Sequence, residues 1–211
     1  DKGIDGFWND MNEPAIFYSE KHLKEVFEKM EDYKKMNLDV NTFFEMTGMI
    51  GGICNNPEDY ASFYHNYKGR RYRHDQVHNL FGYYMTRSAS EAFERYVPEK
   101  RILLFSRASY IGMHRFGGIW QGDNASWWSH LKMNVKMMPS LNMCGFLYTG
   151  ADVGGFGADA TEDLVLRWLE FAVFTPLLRN HSARGTRRQE VYRFSHVEKF
   201  ADVIGVRCQI L

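Results

Sequence analysis

Short apolar runs alternate along this chain with longer stretches of helical spacing. The runs are Ile4 to Trp8, Ile102 to Phe105, Ile119-Trp120, Cys144 to Tyr148 and Thr175 to Leu178. Each ends at or near polar residues: Asp10, Ser106-Arg107, Asp123, Thr149-Gly150-Ala151-Asp152 and Arg179-Asn180-His181. Brief apolar runs closed by polar groups predict buried strands. Helices are predicted between them. His78 to Tyr96 places Phe81, Tyr84, Met85, Ala92 and Phe93 on one face, and Trp127 to Met138 does the same with Leu131, Val135 and Met138. Thr161 to Phe174 carries a stripe of Leu164, Trp168, Phe171 and Ala172, with Thr161 placed to cap it and Glu162-Asp163 in the first turn. His196 to Leu211 repeats the spacing with Val197, Phe200, Ala201, Ile204, Cys208 and Leu211. Strands alternating with helices predict a parallel α/β sheet. Polar groups at strand C-termini fit the active face of a TIM barrel or the crevice of a doubly wound sheet, and periodicity leaves the two open.

Residues 15–75 break this rhythm. Ser19 is placed to cap a charged helix reaching about Met36, with Leu23, Val26, Phe27, Met30 and Tyr33 on one face. A Gly- and Asn-rich stretch follows from Gly48 to Asn56, and Tyr60 to Arg73 is rich in Tyr, Arg and His. The segment reads as an insertion between a strand and its helix. Asp1 opens without a methionine, and the last helical stretch lacks a Gly or Pro terminator, so the chain reads as part of a longer protein.

Composition narrows the classes. Lys plus Arg total 26 and so do Asp plus Glu, giving a formal net charge of zero. Nothing in that balance attracts nucleic acid or an anionic membrane. No apolar run reaches the ~18 residues of a membrane span. Cys54, Cys144 and Cys208 are odd in number and widely spaced, so neither a disulfide framework nor a structural metal is expected, and a reducing, cytoplasmic setting is the default. Aromatic residues make up 16% of the chain, which suits a large core, a sugar-stacking cleft, or both.

Five segments carry candidate chemistry. Trp8-Asn9-Asp10-Met11-Asn12-Glu13-Pro14 sets a carboxylate at a strand end beside an indole; alone, it reads equally as an acidic turn. Trp120-Gln121-Gly122-Asp123-Asn124, followed by Trp127-Trp128, has a second acid, though alone it favours a turn before a helix. Arg107 is either a partner for a carboxylate or a surface cation. Gly150-Ala151-Asp152-Val153-Gly154-Gly155-Phe156 is Gly-rich without nucleotide-binding spacing. A histidine such as His181 is by itself more often structural. Asp10, Asp123, Asp152 and His181 together also permit a metal-ligand reading, against which the tryptophan-rich surroundings argue.

Taken together these segments resemble glycoside hydrolase family 31, the α-glucosidase family. Residues 8–14 match its WxDMNEP motif, Trp120 to Asn124 its WxGDN motif, and Ser106-Arg107, the GADxxGF stretch from Gly150 to Phe156 and Arg179-Asn180-His181 follow in the family's order. His78-Asn79 with Gly82 is similar to its HN-x-x-G helix start. The resemblance implies a (β/α)8 barrel of which residues 1–211 are strands four to eight, with 15–75 inserted after strand four. It implies a retaining, exo-acting α-glucosidase that needs no cofactor or metal and acts on oligosaccharides. Asp10 would be the nucleophile, with a low pKa, and Asp123 the general acid/base, with a raised one. Arg107, Asp152 and His181 would hold the sugar, and Trp8, Met11, Trp120 and Phe156 would wall it. An α-xylosidase, an α-transglucosylase or a non-catalytic sugar-binding homologue are the alternatives, with DMNEP favouring the glucosidase.

Overall fold

A computed structural model describes residues 3–210. In chain order the elements are β1 (Gly6–Asn9), α1 (Glu20–Tyr33), α2 (Val40–Gly51), α3 (Pro57–Ser62), β2 (Tyr64–Tyr67), β3 (Arg70–Arg73), α4 (His74–Tyr96), β4 (Leu103–Ser106), β5 (Gly118–Trp120), α5 (Trp128–Met143), β6 (Thr149–Gly150), β7 (Asp152–Val153), α6 (Glu162–Ala172), β8 (Arg179–Asn180) and α7 (Val197–Ile210). Two compact units emerge: a larger one of residues 1–10 and 82–211, and a smaller one of residues 11–81.

In the larger unit, β1, β4, β5 and β6 form a sheet in that order, and every pair is parallel. β7 and β8 form a further parallel pair. The Leu177 N–H donates to the Thr149 carbonyl at 3.2 Å, which ties the approach to β8 to β6. Successive parallel strands thus lie side by side without reversal. A doubly wound sheet reverses at its switch point, whereas a (β/α)8 barrel advances in one direction. Among the described residues the strands do not form a closed barrel.

The main core lies where α6 covers β7. Leu164, Val165, Trp168, Leu169 and Ala172 of α6 pack with Ala151, Val153 and Phe200. Trp168, Val165, Val153 and Phe200 are completely buried. Burying a large apolar side chain contributes roughly 1.5–3 kcal/mol, so this seam sets the height of β7 and of the loop beyond it. A second cluster joins Tyr83, Met113, Ile119 and Phe146.

Two strand positions differ from the sequence expectation. The apolar run Cys144 to Tyr148 is not itself a strand. α5 continues through Pro139 to Met143, Cys144 caps it, and the Phe146 N–H donates back to the Leu141 carbonyl at 3.0 Å. The missing Pro139 N–H costs one helical bond, and the following turn is held by these closing bonds. The strand therefore begins at Thr149. The final strand likewise lies at Arg179–Asn180, beyond the run Thr175 to Leu178, because its register is fixed by pairing Asp152 with Arg179 and Val153 with Asn180.

The smaller unit holds α1, α2, α3, the β2–β3 hairpin and the first turns of α4. Ser19 caps α1 by accepting from the His22 N–H. α2, absent from the sequence expectation, is capped by Asp39, which accepts from the Thr42 N–H at 2.8 Å. The hairpin turns on Lys68-Gly69, both with positive φ (49° and 75°), as a two-residue hairpin loop requires. At its centre His74 is fully buried. Its two ring nitrogens lie 2.8 Å from His65 Nε2 and 2.8 Å from His78 Nδ1, and Phe63 stacks on it with ring centroids 4.3 Å apart.

Candidate active site

The C-terminal ends of β1, β4 and β5 bring three charged side chains together. β1 and β4 run in register from Gly6–Leu103 to Asn9–Ser106, and the Arg107 N–H extends the ladder by donating to the Asn9 carbonyl at 3.0 Å. Asp10 and Arg107 thus leave neighbouring strands at the same height. The Asn9 side chain donates to Thr86 Oγ1 at 3.3 Å, which anchors β1 on α4. β5 brings up the third group. Beyond Trp120, the buried Asn124 folds back so that its amide donates to the carbonyls of Gln121 and Gly122 at 3.1 and 3.3 Å. That closed turn presents Asp123.

Arg107 Nη1 lies 3.1 Å from Asp10 Oδ1 and 3.3 Å from Asp123 Oδ2. One guanidinium nitrogen therefore bridges both carboxylates. The two oxygens it touches can be no farther apart than the sum of those distances. The carboxylates are about half exposed while the Arg107 side chain is only 19% exposed, so the cation lies beneath and the acids face outward. Charge-assisted contacts of this kind fix orientation.

Asp152 occupies a different environment. Its side chain is fully buried, and Oδ1 accepts from Arg179 Nε at 2.9 Å and Nη2 at 2.7 Å. Oδ2 has no hydrogen-bond partner among the described residues. Burial pushes this carboxyl above the ordinary carboxylate range; Arg179 and, less strongly, His181 pull it back, and Asp123 adds to the rise. The Arg179 guanidinium in turn lies over the Trp8 ring, 4.2 Å from its centroid, and 5.6 Å from that of Trp120. The two indoles are 4.7 Å apart, and Trp8 also stacks on Phe105 at 4.9 Å. Trp8 is partly exposed and Trp120 almost wholly buried.

Phe156 and His181 stack with ring centroids 5.2 Å apart. The loop that carries Phe156 is held by Asn124, whose carbonyl accepts from the Phe156 and Gly157 N–H groups at 2.6 and 3.0 Å. Gly155, at φ +86°, crosses Ser126 so closely that a Cβ would meet its backbone at 2.7 Å, so no side chain fits there. His181 also lines a cleft of about 700 Å³ with Asn180, Arg188 and Tyr192. Met11 belongs to the smaller unit and is exposed, with φ 52°.

Sequence reasoning missed two residues. Arg179 lies within the Arg179-Asn180-His181 motif, of which the resemblance singles out only His181. Gln189 is buried, and its amide donates to the carbonyls of Val153, Gly155 and His181 at 3.1, 3.1 and 3.2 Å. It pins two of the loops around the site, and no local pattern marks it.

Among the described residues no group of three or more His, Cys, Asp or Glu side chains is arranged to hold a metal ion. No helix among them is long and apolar enough to cross a membrane.

Known proteins share this chain's pattern. It is 32% identical over 204 residues to "Alpha-glucosidase 2" of Bacillus thermoamyloliquefaciens, a match covering 97% of this chain and 21% of that protein. A crystal structure of a family 31 α-glucosidase from Bacteroides thetaiotaomicron matches with a TM-score of 0.59 and 33% identity, over 67% of this chain and 24% of that one. A Flavobacterium johnsoniae GH31 dextranase complexed with glucose matches 97% of this chain and 22% of that one, with a TM-score of 0.69 and 24% identity, a likeness of fold alone. The chain spans about a fifth of the length of the curated relatives it matches. The sequence profile described as "Glycosyl hydrolases family 31 TIM-barrel domain" matches residues 1–211, and the chain belongs to that family.

Proposed function

We propose that the protein containing this chain is a retaining, exo-acting α-glucosidase that removes terminal α-linked glucose from oligosaccharides. The observation that carries this reading is the Arg107 bridge between Asp10 and Asp123. It holds one oxygen of each acid within reach of a single nitrogen, a close pairing that suits the ~5–5.5 Å carboxyl separation of retaining enzymes better than the ~6.5–9.5 Å of inverting ones. The names of the relatives support the substrate class.

In this reading Asp123, protonated, donates to the glycosidic oxygen as the bond to the anomeric carbon breaks. Asp10 attacks that carbon from the opposite face and forms a β-glucosyl ester. Asp123 then takes a proton from water, which attacks the ester carbon and releases α-glucose and free Asp10. Arg107 holds the two carboxylates at working distance. Trp8, Trp120 and Phe156 wall the sugar, and Arg107, Asp152 and His181 bind or support it. Asp152 contributes from below, through Arg179, since its own carboxylate is enclosed.

The test is to follow cleavage of p-nitrophenyl α-glucoside by the full-length protein and read the anomer first released by NMR. Retention predicts α-glucose as the initial product. Initial β-glucose would overturn the double displacement, and absence of cleavage would overturn the α-glucosidase assignment.

A further inference from the structure

Arg179 sits against a tryptophan on each of the two strands that lead to Asp10 and Asp123. Trp8 precedes Asp10 on β1 by two positions, and Trp120 precedes Asp123 after β5 by three. β4 lies between these strands in the sheet, so backbone pairing alone does not join them directly. The indoles do, 4.7 Å apart, with the Arg179 guanidinium over one and beside the other. A buried carboxylate, Asp152, fixes that guanidinium through two hydrogen bonds to a single oxygen.

We infer that Arg179, anchored on Asp152, is a positioning residue that braces Trp8 against Trp120 and thereby sets the spacing of the strand ends bearing Asp10 and Asp123. The inference rests on the catalytic reading of those two acids. Arginine suits the task because its planar cation stacks on aromatic faces while forking to a carboxylate; lysine keeps the charge but can do neither in the same way. Asp152 suits the anchor because a buried carboxylate with one strong partner has little freedom to move. The order of action runs from Asp152 to Arg179, from Arg179 to the two indoles, and from the indoles to the acids.

The experiment uses the full-length protein with Arg179→Lys, the isosteric Asp152→Asn, and the double variant. Turnover is measured on p-nitrophenyl α-glucoside and on maltose, with thermal melting alongside. Misplacement by a fraction of an ångström to 1 Å lowers turnover by about 10- to 100-fold. A displaced acid/base residue harms maltose more, so the ratio of aryl glucoside to maltose turnover rises about tenfold in each single variant. Partial unfolding lowers both substrates equally and leaves that ratio fixed. The double variant falls no further than the worse single one, because both substitutions break one link. If Arg179→Lys unfolds, Asp152→Asn reads the same link. An unchanged ratio in the folded variants, or losses that multiply in the double, overturns the inference. If Asp10→Ala abolishes turnover while these variants do not alter the ratio, the catalytic reading stands and only the brace fails. If Asp10→Ala leaves turnover intact, the catalytic reading fails, and the brace with it.

Discussion

In the larger unit, polar side chains are charges held by opposite charges near the open ends of strands. Arg107 bridges Asp10 and Asp123, and Arg179 forks to Asp152. In the smaller unit the buried polar centre is a row of imidazoles: His74 lies between His65 and His78, enclosed by Phe63 and stacked by Tyr60 at 5.5 Å. Burial, and then the neighbouring His78 and His65, hold His74 well below the ordinary histidine value, at about 4. An ionised group in low dielectric needs a counter-charge, and the larger unit supplies one. A neutral imidazole needs only donors and acceptors, and three in series supply each other. The first arrangement orients charges at strand ends, where the proposed chemistry takes place; the second organises a fold while avoiding charge.

The comparison breaks most directly at the two exposed acids. On the proposed mechanism Asp10→Ala removes the group required in both steps, so turnover on any α-glucoside should fall by about 10⁵-fold or more. Asp123→Ala removes the proposed proton donor, and the expected loss on maltose is about 10²–10⁴-fold. It is much smaller on a 2,4-dinitrophenyl glucoside, whose leaving group needs no proton, and the glucosyl ester then accumulates as a burst. Steady-state and pre-steady-state assays of both variants in the full-length protein check this. Equal losses on both substrates would remove Asp123 from the acid/base role.

The carboxylates are legible through the ordered set of motifs taken together, since each segment alone reads as well, or better, as a turn. Their convergence follows from parallel register, which alternating apolar runs already implied. Arg179 and Gln189 were not readable in this way. Arg179 meets Trp8 and Trp120 across the sheet, and Gln189 serves carbonyls on loops far from it in sequence. Neither relation leaves a period. α2 escaped for another reason. Val40, Phe43, Phe44 and Ile50 are exposed in this unit, and no residue of the helix is buried, so its apolar residues form no stripe facing a core. Its sequence signature is the Asp39 cap alone. The apolar runs 144–148 and 175–178 lie outside the strands because their residues close a helix or precede the ladder.

The histidine row predicts a pH dependence in the smaller unit. Folded His74 takes up its proton near pH 4, whereas an unfolded histidine does so near 6.5. Its folded pKa is depressed, so the stability present above about pH 6.5 is lost as pH falls toward 4. The loss is on the order of 1–2 kcal/mol, allowing for solvent screening. Hydrogen exchange of the amides in β2, β3 and the start of α4, followed from pH 7 to 4.5 in the full-length protein, measures it. His74→Phe should flatten the slope in that window, since it removes the titrating group but keeps an aromatic ring. An unchanged slope would assign the acid sensitivity to other groups.

The smallest effect separates the units by how their helices are held. Ser19 and Thr161 make the same cap: each hydroxyl accepts, at 3.3 Å, from the N–H three residues on, His22 for Ser19 and Leu164 for Thr161. Replacing either by Ala removes a partner from an otherwise unsatisfied helix donor and costs about 1 kcal/mol. The consequences diverge because the helices differ in what they bury. α6 buries Leu164, Val165, Trp168, Leu169 and Ala172, whereas α1 buries only Tyr33. An end coupled to a core cannot fray without exposing that core, so Thr161→Ala should lower the cooperative melting temperature by a few degrees and leave local exchange of α6 little changed. α1 has little apolar surface to restrain it, and Ser19→Ala should instead speed exchange of the α1 amides about fivefold while the main transition hardly moves. Helix α1 depends on its caps and its own i,i+4 pairs, such as Lys21–Glu25 and Lys24–Glu28; each such pair adds only a few tenths of a kcal/mol. Identical shifts of the main transition from both variants would show that α1 unfolds with the larger unit's core and that the contrast between the two helices is only one of exposure.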